Sequence, residues 1–366
     1  MTSRQGLLSL VMAVLILPLA VSWSPSKSLA ELPGQAQTSQ AAKTAAERLL
    51  NLGLKQYSLG LQQYSLGLQQ HSLGLQQLEA ALQSWQQALG FYRQLQDRQG
   101  EGRVLGLLGD VYMILATNID IYDQGIDHYQ RSLAIARETK DRQGEVKALM
   151  RLGMVGYGNS GNYNVAIGYY EQSLTLAREI KDRQSEVEIL WQLGSNYAGL
   201  ITTSNYRGDH NKPIEYYEQS LTLAREIKDR RGEGWALWAL AGSYSSGPDY
   251  NKAIEYYEQS LAITRERKDR QFEVELLRSL GHTYQEMGDD GKAMDYYQQS
   301  LALARERKDR RAEGSALGAL GVVYEGLGDC NKAIEYYEQS LAIERETKAH
   351  LGGAPVVFYS EPRSCL

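Results

Sequence analysis

Histidine and cysteine, the side chains most often used as nucleophiles, bases and metal ligands, are few in this chain and show no catalytic spacing. The two cysteines, Cys330 and Cys365, form neither a CxxC pair nor a zinc pattern. The Gly-Glu-Gly at 232–234 lies at a junction between repeated segments, so it is not a phosphate loop. The five histidines are scattered at His71, His128, His210, His282 and His350. We therefore expect a protein that is not an enzyme, with no catalytic residue, metal or cofactor.

The composition predicts helices arranged as repeats. Of the 7 prolines, five lie in the first 33 or last 12 residues, and only Pro213 and Pro248 interrupt the long stretch between them. The 25 tyrosines against 3 phenylalanines suggest one aromatic position copied many times. The net charge of -5 argues against a nucleic-acid surface.

The dipeptide Asp-Arg marks the repeat, and its spacing is 44, 41, 47, 40 and 40 residues. Each unit predicts a helix A begun by the aspartate, a turn, and a helix B that ends in basic residues. We place additions to the unit in loops between helices A and B, around 200–211 and 117–123. The carboxylates that recur in step with the repeat are interpreted as a solvated face. The marker aspartates are Asp97, Asp141, Asp182, Asp229, Asp269 and Asp309.

The order of residues within the unit resembles the tetratricopeptide repeat, with Leu-x2-Leu-Gly-x2-Tyr in helix A and Ala-x3-aromatic in helix B. The resemblance implies an all-α, right-handed superhelical solenoid of stacked antiparallel helix pairs. Helix B carries Tyr129, Tyr170, Tyr217, Tyr257, Tyr297 and Tyr337 in its aromatic position. Helix A carries Leu108-Gly109, Leu152-Gly153, Leu193-Gly194, Leu240-Ala241, Leu280-Gly281 and Leu320-Gly321.

In that family helix A residues flanking the core pattern line an inner groove, so the resemblance implies a groove for a peptide or protein segment. Tryptophan and methionine are favoured at adaptable, energetically dominant surfaces. We expect the groove to have an apolar centre, with Arg278 and Glu275 binding charged groups of the ligand at one end. The alternative is that neighbouring repeats bury the tryptophan rings against each other. The groove residues are Met150, Met154, Tyr157, Trp191, Trp235, Trp238, Arg278 and His282.

Residues 1–30 are typical of a signal peptide, because a basic start is followed by a short apolar run and then by small residues at possible cleavage sites. We expect an exported protein, periplasmic or extracellular; the alternative is membrane anchoring by residues 7–21, and membrane contact depends on that segment being retained. Residues 31–40 are interpreted as a linker and 41–96 as a degenerate first repeat with a heptad insertion. Leucine recurs there every seven residues, which predicts a long helix, either a lengthened packing helix or an oligomerising coiled coil.

Residues 97–348 hold six units of about 40 residues. Residues 349–366 break the pattern, which we interpret as an irregular tail left by truncation or a shifted reading frame. The last helix B should then expose Ile334, Tyr337 and Leu341 and favour self-association.

The arrangement of a signal segment and forty-residue units resembles the N-terminal array of exported bacterial proteins whose second half is a caspase-like (CHAT) peptidase, a domain not expected here. We predict a non-catalytic interaction scaffold, or alternatively the regulatory repeat array of a peptidase system whose catalytic domain is missing.

Overall fold

The computed structural model describes residues 33–64, 68–116, 119–160, 163–203, 211–245, 247 and 249–351. These residues form helices and no strand, so the predicted all-α class is confirmed. The signal segment and the tail beyond 351 lie outside the described residues. The helices are α1 (Pro33–Tyr64), α2 (Leu68–Gln94), α3 (Arg98–Leu115), α4 (Ile119–Thr139), α5 (Arg142–Ser160), α6 (Tyr163–Glu179), α7 (Arg183–Thr203), α8 (Lys212–Glu226), α9 (Arg230–Ser245), α10 (Tyr250–Glu266), α11 (Arg270–Glu286), α12 (Asp290–Glu306), α13 (Arg310–Gly326) and α14 (Cys330–Leu351).

The chain divides into two compact units, Met1–Ala41 and Ala42–Leu366. The described part of the smaller unit consists of the first turns of α1, so residues 33–40 are helical where a linker was expected. In the larger unit each helix packs on its neighbours in the chain, and α3/α4 to α13/α14 make six helix pairs. The predicted solenoid of stacked antiparallel pairs is confirmed.

A tyrosine of helix B fills the space inside each pair, and it requires a small residue opposite it on helix A. Tyr129 is fully buried, and a Cβ added to Gly109 would lie 2.4 Å from its ring. The same contact joins Gly281 to Tyr297 at 2.7 Å. A serine on helix B also donates to a helix A carbonyl at 2.8 to 3.2 Å in all six pairs. Each pair is therefore held by a tyrosine, a small residue opposite it and a serine.

The junction between repeats is a fixed polar unit. A residue with left-handed backbone, such as Lys268 with φ 57, ends helix B. The aspartate after it caps the next helix, as Asp309 does by accepting from the backbone N of Ala312 at 3.0 Å.

The glutamate four residues after each capping aspartate is buried, although the repeated carboxylates were expected to form a solvent-exposed face. Its side chain is only 5% to 12% exposed and pairs with two arginines in every repeat, because the arginines before and after the junction converge on it. The glutamates are Glu101, Glu145, Glu186, Glu233, Glu273 and Glu313.

The heptad run lies on two long helices, α1 and α2, that pack against each other in antiparallel orientation. Trp85 Nε1 of α2 donates to the Leu50 carbonyl of α1 at 3.1 Å. A Cβ added to Gly74 would lie 2.5 Å from the backbone N of Tyr64, and one added to Gly60 would lie 3.1 Å from the Gly74 carbonyl. The heptad glycines therefore permit close approach of the two helices.

Two further expectations change. The described parts of the additions lie in helices, since α7 continues through the buried Leu200 to Thr203 and α4 begins at Ile119. Residues 117–118 and 204–210 lie outside the described residues. In α14 the expected exposed face is largely covered: Tyr337 is 8% exposed and donates to Glu325 at 2.8 Å, while Ile334 and Leu341 are half-buried. At the start of α14, Cys330 is disulfide-bonded.

Candidate ligand-binding surface

The first helices of successive repeats, α5, α7, α9 and α11, contact one another in order and form one continuous surface. We call this the A-helix surface and define it by the exposed and half-buried side chains of these four helices at the predicted groove positions. These positions lie beside the core leucines, since helical spacing puts them on the adjacent stripe. The residues described there are Met150, Met154, Trp191, Trp235, Trp238, Arg278 and His282.

Four aromatic rings follow one another across this surface. The rings of Trp191 and Trp235 lie 5.7 Å apart between centroids and are tilted by 34°. Trp238 meets Phe272 edge-on at 5.8 Å. All four are half-buried, and Trp191 and Trp238 also pack against buried core residues. The rings therefore serve both the core and the surface, which is part of what the alternative reading predicted.

A cavity of about 90 Å³ lies between α7 and α9, lined on two sides by Trp191 and Trp235. The Nε1 atom of Trp191 is buried and has no hydrogen-bond partner. Glu188 lines the same cavity, and desolvation raises the pKa of its carboxyl while the Arg231 guanidinium opposes that shift. Arg231 itself lies over the Trp235 ring, 4.2 Å from its centroid. The cavity thus combines aromatic walls with charged side chains, among them Glu188 and Arg231.

The candidate residues of α5 differ in exposure to solvent. Met154 is 51% exposed, whereas Met150 is half-buried against the core. Tyr157 lies on α5, but its side chain is outside the described residues.

Arg278 pairs with Glu275 at 2.7 Å. The two charges expected to read a ligand therefore neutralise each other. His282 is exposed, and its Nε2 lies 3.9 Å from a Glu286 oxygen.

A half-buried ion pair near the first repeats was missed by sequence reasoning. Arg151 of α5 binds Asp110 of α3 through two bonds of 2.8 Å, and the Tyr129 hydroxyl donates to Asp110 at 2.9 Å. Beside it lies a cavity of about 220 Å³, whose lining includes Arg103 and Lys147. The signal available in the sequence was that Asp110 and Arg151 occupy repeat positions that are not charged in the other units.

The fold and this surface define an all-α repeat solenoid whose first helices present a continuous, partly aromatic face. The sequence matches the tetratricopeptide repeat family over residues 122–179, 197–266 and 269–346. More than half of the chain is covered, and the chain belongs to the tetratricopeptide repeat family. No curated protein matches the sequence.

Solved structures share the architecture at low identity. BtubC (BKLC) from P. vanneervenii is 20% identical, with TM-score 0.54, covering 64% of this chain and 94% of its own. The apo form of RapI is 14% identical with TM-score 0.57, over 81% of this chain and 99% of its own. Aspartyl phosphate phosphatase F from Bacillus subtilis is 13% identical with TM-score 0.60, over 89% and 76%. These likenesses establish the fold.

Within the described residues, no helix has the length and apolar character needed to cross a bilayer. Nor do those residues contain a group of three or more side chains that could hold a metal ion.

Proposed function

We propose that this protein is a non-catalytic interaction scaffold that binds a peptide or protein segment along its A-helix surface. Membership of a repeat family of protein-interaction scaffolds supports the general role. The observation that carries the assignment to this surface is the row of four half-buried rings from Trp191 to Phe272. Aromatic side chains in partly buried rows supply large contact area with little loss of side-chain entropy on binding.

The test uses an exposed residue, because Trp191 and Trp238 also pack against the core and their loss would confuse folding with binding. Met154→Glu places a charge on the A-helix surface at a side chain that is 51% exposed. We expect capture of the native partner by the full chain to fall about tenfold, which corresponds to about 1.4 kcal/mol. Capture is measured with the variant as bait and is quantified by mass spectrometry.

Met287→Glu is the matched control, because Met287 is 48% exposed and follows α11 outside the A-helix surface. The free energy of unfolding of both variants should lie within about 0.5 kcal/mol of that of the parent protein. Equal capture by the Met154 and Met287 variants would contradict the assignment of this surface.

Self-association is a further proposal, and exposed leucines on the first helix pair support it. The uncharged run from 56 to 78 includes several of them and carries no like charges that would oppose pairing of two copies. Sedimentation at increasing concentration tests this, and a strict monomer would contradict it. The leucines are Leu52, Leu54, Leu59, Leu61 and Leu73, all 37% to 47% exposed.

Export remains a proposal based on residues 1–30. N-terminal sequencing of protein from the exported fraction should begin near Glu31 or Trp23, and an intact Met1 on cytoplasmic protein would contradict export.

The net negative charge supports a protein rather than a nucleic-acid partner. The alternative of a regulatory array for a caspase-like peptidase finds no support in the described residues or the comparisons.

A further inference from the structure

We propose that residues 352–366 of this chain dock in extended form along α14 and cover the face that a following helix covers in the other repeats. A disulfide between Cys330 and Cys365 fastens this segment. The inference concerns the last repeat and is independent of the ligand proposed for the A-helix surface. It is argued from the burial of one glutamate, from the disulfide and from the length of the segment.

One position of helix B, five residues before each junction aspartate, faces the next repeat. Ala136 holds it in α4, and a Cβ added to Gly144 of α5 would lie 3.4 Å from the Ala136 Cβ. Tyr92 holds it in α2, and Gly100 of α3 lies directly against its ring. Both side chains are buried, so the following helix A covers small and large residues alike at this position.

In α14 this position is Glu344, which is only 5% exposed although no helix follows α14 within the described residues. Of the described helices, α14 packs extensively only on α13, its partner in the pair. Leu341, on the same stripe of α14, is half-buried, whereas the leucine at its position is buried in the five preceding repeats. A buried Glu344 beside a half-buried Leu341 indicates a cover that is thinner than a helix.

The disulfide identifies the segment that forms this cover. Cys330, the first residue of α14, is disulfide-bonded, and the sequence contains 2 cysteines. Within one chain its partner is therefore Cys365. Because α14 ends at Leu351, the residues that follow have to return along the whole helix to reach its start.

The length of the segment determines its conformation. From Cys330 to Leu351, α14 rises about 32 Å at about 1.5 Å per residue. Residues 352–365 span at most about 46 Å when extended at about 3.3 Å each, but only about 21 Å as a helix. An extended chain therefore reaches Cys330 and a helix does not. Gly352 and Gly353, directly after α14, permit the reversal.

The apolar residues of the segment come at the depth where the face of α14 is apolar. They are Val356, Val357 and Phe358. Leu341 lies about 15 Å before the end of α14, and an extended chain that reverses at the glycines reaches that depth at about Phe358. Its backbone N–H groups are available to the carboxylate of Glu344, which is the polar requirement of the same face.

The first test maps the disulfide in the oxidised full chain. A tryptic digest without reductant is analysed by mass spectrometry, and we expect a linked pair of peptides that contain Cys330 and Cys365. Free thiols at both positions, or a Cys330 link between two copies of the chain, would overturn the proposal.

The second test measures the contact itself. In the oxidised full chain, labelled with ¹³C at leucine and valine methyl groups, nuclear Overhauser cross-peaks should join Leu341 to Val356 or Val357. Single alanine variants at these three positions assign the signals. Absence of every cross-peak between Leu341 and the segment would contradict docking even if the disulfide is found.

The third test removes the main apolar contact and keeps the disulfide. Phe358→Ser should speed hydrogen exchange of the α14 amides about tenfold, equivalent to about 1.4 kcal/mol, and leave the α11 amides unchanged. Leu366→Ser is the matched control, because Leu366 follows Cys365 and lies beyond the fastened length. It should leave α14 exchange unchanged, and equal exchange rates in the two variants would overturn the proposal.

Discussion

Replacing Asp110 by alanine should destabilise the first two repeats far more than an ordinary surface change. Arg151 binds this carboxylate with two bonds of 2.8 Å, and the two side chains are only 22% and 18% exposed. The variant leaves a largely buried guanidinium and the Tyr129 hydroxyl without their acceptor. Removing one partner of such a pair costs about 3–5 kcal/mol, and we expect a value near the lower limit because the site is not fully closed.

A double variant separates the ion pair from the rest of the site. Asp110→Ala combined with Arg151→Met removes both charges and leaves only the Tyr129 hydroxyl unsatisfied, at a cost of about 1–3 kcal/mol. The double variant should therefore be less damaging than the sum of the two single variants by about 2 kcal/mol. Arg151→Met alone completes the cycle.

Native-state hydrogen exchange of the α3 and α5 amides is the appropriate assay, because repeat arrays unfold locally and a single melting curve would average over repeats. The control is Asp127→Ala, which breaks the exposed pair with Arg131 on α4. It should change the free energy of opening by less than about 1 kcal/mol. The reasoning is refuted if Asp110→Ala costs no more than Asp127→Ala, or if the cycle is additive.

Gly281→Ala should lower the melting temperature, because its Cβ would lie 2.7 Å from Tyr297 and overpacking of about 1–3 kcal/mol exceeds the helix gain of about 1 kcal/mol. Gly318→Ala, whose nearest contact would be 3.4 Å, should instead raise it, and the opposite order would count against this packing argument. The two arginines beside Glu273 lower the pKa of its carboxyl despite desolvation, so its stabilising contribution is complete above its usual pKa of about 4.3 and is lost as the pH falls through the lowered value. In Glu273→Gln the free energy of unfolding, measured by urea titration at several pH values, should fall less as the pH is lowered. The same pH dependence in the variant and the parent would argue against this role. Lys268→Gly should raise stability by roughly 0.5–1 kcal/mol, because φ is 57 there; calorimetry showing a loss would contradict this.

The repeated part of the fold was predictable because every level of the sequence agrees on it. Asp309 as a cap, Gly321 as a close contact and Tyr337 as its filler recur at a fixed spacing, and the structure uses each one as expected. The heptad run is the part of the fold that sequence spacing does not determine. Leucine spacing alone does not reveal that Gly60 and Gly74 meet across a helix pair, since the contact exists only after the chain reverses.

The junction glutamates were misjudged for a related reason. Glu273 stands among charged neighbours in the sequence and therefore looks solvated. Its low exposure comes from Arg265 of the preceding helix and Arg270 of its own helix closing over it, which is a property of the packed junction. The charge pattern was visible, but the burial was not.

The candidate site was predictable in position but not in its contacts. Register placed Trp191, Trp235 and Trp238 beside the core stripe, where the structure finds them. Phe272 was not predicted, because it precedes the core pattern of its helix and joins the row only through the edge-on contact with Trp238. The vacant indole donor and the cavity depend on the distance between two helices, which register does not supply.

Differences among the repeats within this one chain point to the same surface. The helix B serine that ties each pair together is serine in all six repeats, and its hydroxyl is bonded each time. The position of helix A that opens the A-helix surface is instead Lys147, Glu188, Trp235 and Glu275 in four successive repeats. The contact that the serine makes is the same in each unit, which explains the constant position but not the variable one. Some of these side chains have partners within the chain, since Glu275 pairs with Arg278 and Trp235 contacts Trp191. The change from a cation to an acid to an indole along one face nevertheless gives each repeat a different surface chemistry.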